Sequence, residues 1–173
     1  MSKNPTLSLK KTLSKIEKTI KESINAKALK PVAEFTIGIV VKRTRLGYGV
    51  EKELGERSKF TALSKRYVED RKVFKGLAST TTAKRSNLTR TGEMLESMEY
   101  KVERGEITIF PSRRARKGSS GLTNYDLAGY HAKGNSKLPR RVFNNVSSKE
   151  FNQILRFYRK TFGDLLRLRG LIS

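Results

Sequence analysis

Few side chains in this sequence have the type and spacing to do chemistry. His131 is the only histidine, and so the only group suited to shuttle a proton at neutral pH. The nearest carboxylate along the chain is Asp126, a spacing that sets the two badly for a helical acid–base pair. The simpler expectation for His131 is a hydrogen-bonded packing position. The carboxylate pairs Glu51/Glu53 and Glu69/Asp70 stand among lysines and arginines, which reads as charge pairing rather than a metal centre. Gly47-Tyr48-Gly49 is too short for a dinucleotide fingerprint, and no phosphate-loop motif occurs. The chain has no cysteine, which removes thiolate ligands, thiol nucleophiles and disulfides. The expectation is therefore no catalytic residue, no metal and no cofactor, with function residing in binding.

The charge says what kind of binding. Lys and Arg number 38 against 16 Asp and Glu, a net charge of +22 over 173 residues. Such a chain repels itself and calls for an acidic partner, either nucleic acid or acidic protein. The densest cluster is Arg113, Arg114, Arg116 and Lys117, set among Ser and Gly between residues 112 and 121. With no apolar anchor, this stretch reads as an exposed loop. Arg140 and Arg141 form a second basic pair, suited to carboxylates on a neighbour. Tyr and Phe are scattered among the cations, as stacking platforms would be. No signature of base-specific nucleic-acid reading is present. Non-specific nucleic-acid binding is one function compatible with this pattern.

The elements that must position these residues follow from hydrophobic spacing. Leu9, Leu13, Ile16, Ile20 and Ile24 recur at three and four, predicting an amphipathic helix over residues 6–29 with lysines on its other side. Pro31 marks a stop or kink. The β-branched run 35–41 fits either a buried strand or the tail of a long helix. Residues 42–50, and on to Phe60, read as surface loop. A short helix is expected within 60–73, with Leu63, Tyr67 and Val73 inward, and a long loop over 75–87. Thr91 is placed to cap a mini-helix carrying Met94, Leu95 and Met98. Tyr100 to Pro111 alternates as a hairpin around Arg104-Gly105. Residues 125–131 predict a helix ended by Gly134, Pro139 an extended turn, and Phe143 a buried plug. Ser147 and Glu150 form a capping box for a last helix, with Phe151, Leu155 and Phe162 expected in the core. At 36% hydrophobic content, the core is small. The domain expectation is a helical arm with its apolar run over residues 1–42 and an α+β domain over 43–173. No apolar run approaches the roughly 18 residues needed to cross a bilayer, and the start of the chain lacks a signal-peptide pattern.

Four pieces in order carry a resemblance: Leu88-Thr89-Arg90-Thr91-Gly92, the hairpin ending Ile107-Thr108-Ile109-Phe110-Pro111, Ala128-Gly129-Tyr130-His131-Ala132-Lys133-Gly134, and Leu138-Pro139-Arg140-Arg141-Val142-Phe143. Together, over roughly residues 60–165, they resemble the tail-completion or head–tail joining proteins of tailed bacteriophages, the virion-morphogenesis or minor-tail group. The resemblance implies a small curved antiparallel sheet packed against helices. It implies copies closed into a ring of six, or of twelve, in the neck between head connector and tail tube. The implied partners are connector or stopper proteins, a tail terminator or tube protein, and viral DNA in the lumen, with no membrane. It implies assembly in the host cytoplasm and residence in the virion. Arg113, Arg114, Arg116, Lys117, Arg140 and Arg141 are then the interface or lumen candidates. The long N-terminal helix and the highly charged 112–121 segment depart from the family pattern.

Overall fold

The computed structural model describes residues 13–18, 20, 26–73, 88, 92–114, 121–134, 139–168 and 170. The fold is α+β, with helices around two small antiparallel sheets. Residues 13–18 and 20 are helical. The remainder of the helix expected over 6–29 lies outside the described residues up to Ala26, where a different helix begins. That helix, α1, spans Ala26–Arg45. It absorbs the β-branched run, resolves it as helix, and continues through Pro31. Leu29, Val32, Ala33, Thr36, Val40, Arg43 and Thr44 are all buried at helical spacing. Tertiary packing of that stripe outweighs both the missing proline donor and the modest helix propensity of Val, Ile and Thr.

The segment 42–50, expected as surface loop, instead finishes α1 and enters a strand. β1 (Tyr48–Gly49) pairs antiparallel with β2 (Ser58–Lys59). A Cβ on Gly49 would fall on the Val142 carbonyl oxygen and the Phe60 ring, so the position needs glycine for close approach. α2 (Lys65–Val73) follows, with the Tyr67 amide donating to Ser64 Oγ at 3.2 Å. Leu63 and Tyr67 are half-buried as expected, while the Val73 side chain and the 75–87 stretch lie outside the described residues.

α3 (Glu93–Glu96) is a single turn that buries Met94 and Leu95. Its N-cap is Gly92 at φ 81°, with no side-chain cap; Thr91, the cap expected from sequence, lies outside the described residues. β3 (Met98–Glu103) and β4 (Glu106–Pro111) form the hairpin, starting two residues earlier than its alternation predicted. Arg104 and Gly105 both have positive φ, the signature of a tight two-residue hairpin turn. α4 (Asn124–Lys133) starts at a capping box of Thr123 and Asp126 and ends at Gly134. α5 (Ser148–Leu168) starts at the Ser147–Glu150 box.

The core centres on Val40, Met94, Leu95 and Phe143, with Met98, Ile109, Leu127 and Ala128 packed around them. α1 is the spine, lying against the hairpin and against α5. Phe35 of α1 stacks on Phe157 of α5 at 4.4 Å between ring centroids. Phe143 is buried as expected. Phe151, expected inside, is 44% exposed, and Leu155 and Phe162 are only half-buried. The apolar stripe of α5 is wider than the face that α1 covers, so its first aromatic stays outside. Among the described residues, no helix is long and apolar enough to cross a membrane.

Candidate assembly surface and its buried ion network

The basic residues singled out from sequence separate into three groups. Arg113 and Arg114 are exposed just beyond β4. The Arg113 guanidinium lies 4.6 Å from the Tyr125 ring centroid and 6.0 Å from that of Phe110, a cation–π pairing that holds its charge outward. Ser112, the residue before Arg113, is buried rather than part of an exposed loop. Its amide donates to the Ser97 carbonyl at 2.8 Å and its carbonyl accepts from the Tyr125 amide at 3.1 Å. That one residue ties the base of the hairpin to α4, so Arg113 and Arg114 leave from a fixed point. Arg116 and Lys117 lie outside the described residues.

Arg140 is exposed, its Nε donating to the Ala132 carbonyl at 3.2 Å. Arg141 is 5% exposed, a correction to its expected place on a contact surface. Its amide donates to the His131 carbonyl at 2.7 Å, and the alternation of an extended segment sends neighbouring side chains to opposite sides. Gly134 permits this crossing. It has φ 67°, and a Cβ there would lie 2.8 Å from the Arg140 amide nitrogen.

His131 packs beside Arg141. Burial first, and then the Arg141 charge, push its pKa down to about 4, so it is neutral at physiological pH. Its Nδ1 is buried with no hydrogen-bond partner among the described residues. Asp126 is committed elsewhere. Its Oδ2 accepts from the Thr123 hydroxyl at 2.6 Å and the Thr123 amide at 3.1 Å, and those bonds lower its pKa. Glu51 and Glu53 are exposed, with Glu53 Oε1 accepting from the Val146 amide at 3.2 Å. Among the described residues, no group of three or more His, Asp and Glu is placed to share a metal ion.

The most heavily bonded charged site was not singled out from sequence. Arg43, 2% exposed, donates from Nη1 to Glu150 Oε2 at 2.7 Å and to the Asn145 carbonyl at 2.9 Å. Its Nη2 donates to the Phe143 carbonyl. Glu150, fully buried, also accepts from the Ser147 amide and hydroxyl, while its Oε1 lies 3.0 Å from Arg57 Nη2. Burial raises the Glu150 pKa, but the Ser147 hydrogen bonds and the Arg43 and Arg57 charges outweigh it, so the carboxyl titrates below its ordinary range. Burial likewise lowers Arg43, and Glu150 opposes that. Beside this centre the Val50 amide donates to Val142 and the Leu54 amide to Val146, so 50–54 runs alongside 142–147. The sequence signal was present in halves. Glu150 stood in the capping box, and Arg43 stood at helical spacing on the stripe of Thr36 and Val40.

No protein-family model, no curated protein and no solved structure matches this chain.

Proposed function

We propose that this protein is a structural component of a tailed-phage virion, working as a ring in the neck that completes the tail and joins it to the head connector. What supports the reading is the way the described parts of its four family-like pieces sit together. The mini-helix leads into the hairpin, Ser112 ties the hairpin to α4, and the Arg141 amide ties α4 to the Pro139–Phe143 stretch. The resulting unit is small, highly cationic and carries apolar side chains at its surface, including Phe151, Tyr130 and Leu168. Such a unit gains stability from association. The exposed cations Arg113, Arg114 and Arg140 face outward for acidic neighbours or for DNA in the lumen.

The test is genetic and structural. Deleting the gene leaves filled heads and finished tails that do not unite, seen by electron microscopy of lysates. Recovery of infectious, tailed particles from the deletion overturns the proposal. The second reading, a non-specific nucleic-acid-binding protein, draws on Arg113 stacked over Tyr125 beside other exposed cations. It requires the isolated protein to bind duplex DNA with affinity that falls steeply as salt rises. Ring assembly without DNA affinity favours the first reading.

A further inference from the structure

β3 is an edge strand that is complementary to its own reverse. In an antiparallel ladder, alternate residues bond to the partner strand and those between turn their N–H and C=O away. The Ser112 amide to Ser97 carbonyl bond fixes the phase. By the register, Glu99, Lys101 and Glu103 bond to β4, while Met98, Tyr100 and Val102 present their backbone groups outward. The opposite edge is weaker, because Pro111 supplies no N–H there. Among the described residues, no strand or loop hydrogen bonds to the β3 edge. A two-stranded hairpin with an open edge is marginal alone and prone to pairing.

The order of side chains says what fits. Met98-Glu99-Tyr100-Lys101-Val102 reads apolar, acidic, aromatic, basic, apolar. We infer that β3 pairs antiparallel with β3 of a second copy of this chain, across a two-fold axis at Tyr100. Glu99 of each copy then opposes Lys101 of the other on the exposed face. Met98 opposes Val102 on the half-buried face. The two copies exchange about six backbone hydrogen bonds, two for each outward-facing residue pair. Opposite charges directly across a ladder stabilise it, and like charges weaken it. Sliding the axis to Val102 instead sets Tyr100 against Arg104 of the turn and shortens the ladder.

A two-fold contact closes on itself and cannot propagate a polar ring. The dimer is thus the state of free copies, in which the edge is covered, and it stands apart from the virion role proposed above. The chain lacks cysteine, which makes the test clean. At the axis the two Tyr100 Cα atoms are about 5.5 Å apart, within disulfide reach. Tyr100→Cys therefore gives a covalent dimer on mild oxidation, while Thr108→Cys, exposed on β4, does not. In sedimentation equilibrium, Glu99→Lys raises the dimer Kd roughly tenfold. Adding Lys101→Glu to it restores dimerisation, and Glu106→Lys, exposed on β4, leaves it intact. A monomer at millimolar concentration overturns the inference. So does equal cross-linking at both cysteine positions, or a double swap as weak as the single one.

Discussion

A guanidinium held out of water is tolerable only while its partners stay in place, and Arg43 has them on three sides. Removing the charge of Glu150 strands it, since a buried ion left unpaired typically costs about 3–5 kcal/mol. Glu150→Gln is expected to lower the unfolding free energy by about that amount at pH 7, measured by urea titration. The carboxyl is depressed in the folded state from its ordinary 4.5. Its stabilisation is thus complete above pH 4.5 and is lost as pH falls through the lower folded value. His131 acts in a different window. Its folded pKa of about 4 lies below the ordinary 6.5, so the unfolded chain takes up the proton first. Stability drains between pH 6.5 and 4, by roughly 3 kcal/mol in all. Arg141 is the charged group that faces it and sharpens the penalty. In His131→Leu that slope between pH 6.5 and 4 is expected to vanish while the acid limb below pH 4.5 remains, read from denaturant midpoints across pH.

The elements are joined at points where backbone approaches backbone. Gly49→Ala puts a methyl against the Val142 carbonyl and the Phe60 ring, and overpacking of this kind costs about 1–3 kcal/mol. Phe157→Ala removes the stack on Phe35 and is expected to cost about 2–4 kcal/mol, the aromatic contact adding to lost burial. Leu155→Ala, on a half-buried face, is expected to cost less than Phe157→Ala in the same thermal melt. The hairpin, α4 with its Gly134 stop and the Ser147–Glu150 cap were legible because each is written in local chemistry: alternation, a positive-φ turn, a capping pair. The start of α3 was not legible, because Gly92 holds the N-cap with no side-chain bond to announce it. Residues 42–50 looked like loop because charge and glycine dominate them. What keeps Arg43 and Val50 inside is chain from residues 142–150, which no local window contains. The same reason hid the ion network, and it turned Arg141, an outward-looking arginine by composition, into an interior one.

Across the whole molecule, charge is the dominant strain. With a net charge of +22 and exposed cations on α5 and around α4, like charges push the compact state apart. Raising ionic strength from about 0.01 M to about 0.15 M shortens the screening length from roughly 30 Å to 8 Å. The melting temperature is expected to rise across that range, by calorimetry at pH 7. A fall would show that attractive pairs govern instead. The reach of Arg43 across the chain has one more effect, on the order in which the fold can be completed. Its partners Phe143, Asn145 and Glu150 are made some hundred residues after it. While the polypeptide is still emerging from the ribosome, the far end of α1 therefore has a cation with nowhere to go. Helix α1 can set against the hairpin early, but it can seal only when residues 143–150 have been synthesised. Translation products stopped before that point carry an open seam at Arg43, and cellular proteases should clear them first.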